Sequence, residues 1–154
     1  MLGYDEGIFV GYRAYERDGR TPLYPFGHGL GYTSWEYLDL AADAEGVQVT
    51  VRNMGARRGR EVAQVYATRP ESSVERPPHW LVGFASAEVD PGEGATVHIA
   101  LSARSFAHWD AVARAWQVEP GTFRVTAGPS SAVQGLVTEL PVDASGRMSR
   151  PDAG

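Results

Sequence analysis

Acidic side chains are the first residues to weigh for chemistry, and the chain brings two pairs close in sequence: Asp5 with Glu6, and Glu88 with Asp90. Two carboxyl groups facing each other across a sugar can split a glycosidic bond, at about 5–5.5 Å for retention and about 6.5–9.5 Å for inversion. Glu88 and Asp90 bracket Val89 just ahead of Pro91-Gly92, at the end of an expected strand, which puts them on an exposed rim with no cleft implied. The four histidines, His28, His79, His98 and His108, are scattered, and none stands at ligand spacing from a second His or a Cys, so no metal site is expected. Gly27-His28-Gly29-Leu30-Gly31 has neither the spacing of a phosphate loop nor a following Lys-Ser or Lys-Thr. It reads instead as a tight connector, where glycine permits a left-handed backbone or a close approach. Arg57, Arg58 and Arg60 read as a solvated basic hairpin tip, with recognition of an anionic partner as the alternative. Trp80, Trp109 and Trp116 carry two readings: rings that stack on a sugar or contact another domain, or rings packed in a β core. None of these sets supplies a catalytic or cofactor-binding residue, and no cofactor is expected.

The elements that would position these residues are strands. Val47-Gln48-Val49-Thr50-Val51-Arg52 alternates apolar with polar, as a half-buried antiparallel strand does, and the pattern returns in Thr96 to Leu101 and in Thr122 to Ala127. Further short candidates run from Trp35 to Leu40, Glu61 to Thr68, Trp80 to Val89 with an interruption at Gly83, Arg114 to Val118, and Leu136 to Val142. Turn signals separate them: Asn53-Met54-Gly55, Pro77-Pro78, Asp90 to Gly94, Glu119-Pro120-Gly121 and Gly128-Pro129-Ser130. This is the outline of an all-β, immunoglobulin-like sandwich. Its inward set would be Val47, Val49, Val51, Val97, Ile99, Leu101, Phe123 and Val125, each contributing about 1.5–3 kcal/mol if fully buried. Ser102 to Asp110 does not alternate and reads as a helical turn or loop.

Outside the sandwich, Ile8-Phe9-Val10 is apolar on consecutive positions, as in a strand covered on both faces within an α/β domain. Nothing in the chain would cover it, so this strand should be disordered, self-associating or folded back on the sandwich. The expected organisation is 1–34 as the terminal strand and connector of an incomplete α/β domain, 35–142 as the sandwich, and 143–154 as a disordered tail.

A chain of 154 residues suffices for one ordinary core without metal or disulfide. It has no cysteine, which leaves the redox compartment open between cytoplasmic and secreted. A net charge of -5 argues against a nucleic-acid partner. No apolar run reaches membrane-helix length, so no membrane partner is expected, and the first residues lack the basic region of a signal peptide. The 18 glycines and 10 prolines punctuate the chain at intervals that suit strands better than helices.

A family resemblance is carried by longer motifs. Glu6 to Arg13, then Pro22-Leu23-Tyr24-Pro25-Phe26-Gly27-His28-Gly29-Leu30-Gly31-Tyr32-Thr33, resemble the end of the α/β sandwich domain of family 3 glycoside hydrolases and the connector after it. Val49 to Gly55, Gly59 to Tyr66, Pro70 to Ser73, Leu81-Val82-Gly83-Phe84 and Val118 to Phe123 resemble their C-terminal fibronectin type III-like domain. The match runs from Tyr4 to Val142, with Gly31 where Ser is common and Val82 where Lys is common. These enzymes are typically β-glucosidases, β-xylosidases and relatives. The resemblance implies that the nucleophilic Asp and the acid/base Glu lie upstream of this region, so no catalytic residue carries over. It implies upstream catalytic domains of the parent hydrolase as the partner, with homodimer contacts as a further expectation. Two other readings are a stand-alone module that binds glycan or protein through Trp80, Trp109 or Trp116, and an enzyme in its own right.

Overall fold

A computed structural model describes residues 5–132 and 135–151. Along the chain, α1 (Tyr12–Arg17) is followed by β1 (Trp35–Ala42), β2 (Gly46–Asn53), β3 (Gly59–Thr68), β4 (Trp80–Val89) and β5 (Gly94–Ala100). A 3₁₀ turn at Ala103–Ser105 then leads into β6 (Ala107–Asp110), β7 (Ala115–Val118), β8 (Gly121–Gly128) and β9 (Leu136–Val142).

Two antiparallel sheets face each other. The first has the order β1-β2-β5 and the second β4-β3-β8-β9, which makes the fold an all-β sandwich, while β6 and β7 pair with each other as a separate hairpin. The alternation explains the layering. Val47, Val49 and Val51 of β2 are buried while Gln48 and Arg52 stay in water, and in β8 Phe123, Val125 and Ala127 are buried opposite Leu140 and its neighbours on β9. With Val65 and Ala67 of β3 and Ile99 of β5, these side chains fill the space between the sheets. Seven of the eight expected core residues are buried; the eighth, Val97, is half-buried on the edge strand β5.

Four local expectations change. Gly83 does not interrupt β4, which runs unbroken from Trp80 to Val89 with a bulge where Gly83 pairs with Val65 and Leu81 with Tyr66. Glycine is needed there because a Cβ would lie 2.6 Å from Ile99 Cγ2 and 3.0 Å from Leu101 Cδ2. Gly83→Ala should therefore overpack the core and lower stability by about 1–3 kcal/mol, read as a lower urea midpoint with an unchanged slope. The Ser102 to Asp110 segment supplies not only a turn but also β6, in register with β7. Ile8-Phe9-Val10 forms no strand: the chain turns there and continues into α1, folded back against the sandwich. Residues 1–4 of that segment lie outside the described residues.

The expected tail is the fourth change. Asp143 Oδ1 accepts the backbone N–H groups of Ser145 and Arg147, which reverses the chain and brings Met148 beside Val142 in an antiparallel bridge. Met148 is buried in the core, so residues 143–151 close one end of the sandwich. The last three residues of the expected tail lie outside the described residues.

Candidate functional site

The three tryptophans separate into one core residue and an exposed pair. Trp80 is only 8% exposed, its indole Nε1 donates to the Ser105 carbonyl at 2.8 Å, and its ring meets Phe123 edge-on. Every polar and apolar need of that ring is met inside the protein. Trp109 and Trp116 stand directly opposite each other on β6 and β7, with ring centroids 5.4 Å apart, and are 51% and 47% exposed. The Arg104 guanidinium stacks on Trp116 with its carbon 3.2 Å from the ring centroid, a cation–π contact. Asp110 Oδ1 accepts the N–H groups of Val112 and Ala113 and so fixes the turn that brings the two rings together.

These rings line one side of a groove of about 880 Å³. Ile8 and Arg13 of the N-terminal segment and Glu75 of the loop before β4 line it as well. The groove therefore combines indole rings with guanidinium and carboxylate groups, and its walls carry both signs of charge.

Below the groove lies an ion cluster that sequence reasoning missed. Arg69 and Arg76 both approach Glu119 Oε2, at 3.4 and 3.5 Å, and all three residues are partly buried. Glu119 also accepts hydrogen bonds from the Ser73 backbone N–H, the Ser72 hydroxyl and the Ser73 hydroxyl at 2.6 to 2.8 Å. Burial alone would raise the Glu119 pKa, but the Ser73 and Ser72 donors and the Arg69 charge outweigh it and hold the carboxyl down to about 2. Both guanidiniums lie over the Phe123 ring, at 4.8 and 5.5 Å from its centroid. The cluster is permanently ionised at neutral pH and already saturated with partners, which suits it to holding the loop before β4 rather than to proton transfer.

The N-terminal segment packs on the outer face of the second sheet. Tyr12 stacks on Phe26 at 5.0 Å, meets Tyr66 edge-on, and its hydroxyl oxygen accepts the Leu81 N–H at 2.8 Å. That N–H becomes available where the β3–β4 register shifts. Tyr66 donates to Gln64 Oε1, and the Gln64 amide donates to the carbonyls of Pro129 and Gly27. Gly27, at φ 81°, has no room for a Cβ because the Gln64 amide would touch it. Glu16 Oε1 lies 3.0 Å from His79 Nε2. Burial pushes the Glu16 carboxyl up to about 7 and the His79 imidazole down, so the sheet face favours the uncharged form of each.

Beyond these anchors the connector turns apolar side chains into water. Leu23 is 87% exposed, Tyr24 70%, Leu30 93% and Tyr32 91%. Leu30 lines a shallow depression with Val62 of β3, and Val62 and the neighbouring Phe84 of β4 are themselves exposed.

The other acidic and basic candidates find surface roles. Arg58 bridges Glu88 at 3.1 Å and Asp90 at 3.9 Å on an exposed rim, and Arg60 donates to Ser86. His98 is exposed on β5. Among the described residues no three His, Cys, Asp or Glu side chains come together as a metal ion would require, and no helix is long and apolar enough to cross a membrane.

Comparison with known proteins agrees with this architecture. The model of the fibronectin type III-like domain matches residues 61–131. Thermostable β-glucosidase B of Acetivibrio thermocellus is 43% identical over 136 residues, which are 83% of this chain and 18% of that protein. Probable β-glucosidase K of Emericella nidulans is 47% identical over 133 residues, 85% of this chain and 16% of that protein. Among solved structures, a β-glucosidase from Streptomyces venezuelae in complex with D-glucose superposes with a TM-score of 0.84 at 35% identity, over 90% of this chain and 19% of that one. A family 3 β-glucosidase from Bifidobacterium adolescentis gives 0.83 at 34% identity, over 91% and 22%. The chain thus spans about a fifth or less of the length of such relatives, and it belongs with glycoside hydrolase family 3 as the fibronectin type III-like region found toward the C-terminal end of these β-glucosidases.

Proposed function

We propose that this chain is a non-catalytic structural unit of a family 3 β-glycosidase, which docks on the catalytic domains and stabilises them. The observation that carries this reading is the connector: its backbone is pinned to the sandwich through Gln64 and Ser131, yet Leu23, Tyr24, Leu30 and Tyr32 point away from it into solvent. A segment pinned at its backbone that displays several large apolar side chains is built to be covered, because exposed apolar surface of this kind marks interaction sites. Val62 and Phe84 extend the patch across the outer face of the second sheet. The partner that fits is the remainder of a β-glycosidase, since the relatives that share this region are several times longer. The parent's catalytic groups would then lie in that remainder, with hydrolysis of β-glycosidic bonds as its activity.

The test is reconstitution in trans. The catalytic portion of a close relative such as thermostable β-glucosidase B, ended before the matched region, is mixed with this chain. Co-elution on gel filtration and a higher melting temperature of the catalytic portion are expected. The doubly substituted chain Leu30→Ser, Tyr32→Ser should fold as before, because both side chains are exposed, yet lose the complex. Absence of any complex, or a complex indifferent to these substitutions, defeats the reading, and so does release of glucose from an aryl β-glucoside by the chain alone.

A further inference from the structure

We propose that the groove beside the β6–β7 hairpin is a subsite for β-linked gluco-oligosaccharides, with Trp109 and Trp116 as its stacking surface. The choice of sugar rests on the reading of the chain as part of a β-glycosidase; the existence of the site rests on the groove itself.

Core packing does not account for the two rings. Phe123, Phe106 and Trp80 fill the adjoining end of the sandwich, and neither Trp109 nor Trp116 joins that cluster. Among the described residues the pair stands on a hairpin that joins the ladder of neither sheet, and it is Val118 of that hairpin, not either indole, that packs against the core. Two half-exposed indoles are nevertheless held in a fixed arrangement: their strands are in register, Asp110 shapes the turn, and Arg104 clamps one face of Trp116. Fixed, solvent-open aromatic faces are what stacking on a ligand requires.

The lining selects the ligand class. A β-linked glucose unit carries its hydroxyls equatorially, which leaves flat C–H faces for an indole and a rim of donors and acceptors. Arg13 and Arg104 can donate to that rim and Glu75 can accept from it. Because the lining carries both cationic side chains, Arg13, Arg76 and Arg104, and anionic ones, Glu75 and Asp110, a neutral polyol is matched better than a phosphate or a polycation. A volume of about 880 Å³ exceeds what one sugar needs and lies within the usual range for small-molecule sites. The groove shares no lining residue with the depression under Leu30, so a sugar here and a catalytic domain there do not compete for the same side chains.

The experiment titrates the full chain with cellotetraose, and with maltotetraose as the α-linked control, reading tryptophan fluorescence and heat of binding. A saturable response to cellotetraose, at least tenfold weaker with maltotetraose, is expected. Trp109→Ala and Trp116→Ala should each weaken it at least tenfold, Trp116→Phe should keep most of it, and Val137→Ala, at an exposed position of β9 outside the groove, should leave it unchanged. Melting curves confirm that each variant is folded. No saturation at concentrations on the order of 10 mM, corresponding to a binding free energy under about 3 kcal/mol, overturns the site. Binding that survives both alanine variants, or that is blocked because a second copy covers the hairpin in sedimentation, overturns it as well. Since no catalytic domain is present in this titration, its failure leaves the reconstitution in trans standing, and the reverse also holds.

Discussion

Replacing Phe123 with alanine is expected to lower the stability of this chain by about 3–5 kcal/mol, the range for deleting a large ring from a close-packed core. Phe123 is fully buried on β8, in contact with Phe106 at 4.8 Å and with the edge of Trp80 at 6.2 Å. Neither neighbour can collapse into the void. Trp80 is tied to the Ser105 carbonyl through its indole, and Phe106 sits at the end of the 3₁₀ turn with its own carbonyl bonded to Arg76. The cavity should therefore persist, and the penalty should fall toward the upper end of the range. For a chain of this length that corresponds to a melting temperature lower by on the order of 10 °C. Phe123→Leu, which keeps more of the volume, should lose clearly less. Equal losses for the two variants would show that ring contacts are not what the site supplies.

Which parts of this architecture can be read from sequence follows from how local each signal is. The valines of β2 announce their strand because one face is buried and the side-chain period is two. The same holds for Phe123 and Val125 of β8. Strand β6 gives no such signal: Ala107-His108-Trp109-Asp110 is four residues long and pairs only with β7, so no core face imposes alternation on it. Helix α1 is hidden for a related reason. It has six residues, too few for a 3.6 period to show, and Gly11 precedes it without a side-chain cap. The neighbouring Ile8-Phe9-Val10 looks like a strand only because an apolar run of that length fits either state. Separating Trp80 from Trp109 and Trp116 needed three-dimensional information, since all three lie in strands next to polar residues and differ only in which surface their strand faces. Arg69, Arg76 and Glu119 meet across 43 to 50 residues of chain, a distance at which no spacing rule operates.

That long-range cluster carries the second large expected effect. At pH 7, Glu119→Gln should destabilise the chain by about 2 kcal/mol, because it leaves two partly buried guanidiniums facing a neutral amide whose own N–H groups point toward donors. The pH dependence gives the argument its direction. The Glu119 carboxyl titrates near 2 in the folded chain against an ordinary value of 4.5, so the fold binds its proton less readily than the unfolded chain does. Its stabilisation is therefore complete above pH 4.5 and disappears as pH falls from there toward 2. Discounted for solvent at the rim of the cluster, that loss should be about 2 kcal/mol. Asp18, Asp43, Asp110 and Asp143, also held low, titrate in both proteins, and only the Glu119 contribution is missing from the variant, so urea midpoints of the two proteins, well apart at pH 7, should draw together as pH falls through 4 to 2. Parallel curves over that window would mean that the carboxylate is held by shape rather than by charge. Because Arg69 and Arg76 both stack over the Phe123 ring, the two substitutions share partners and should not add. Once Phe123 is alanine the guanidiniums have lost their platform and gained access to water, so Glu119→Gln should cost less in that background than in the native one. Simple additivity in the double-mutant cycle would separate the ion cluster from the core beneath it, and the loop before β4 would then depend on its hydrogen bonds alone.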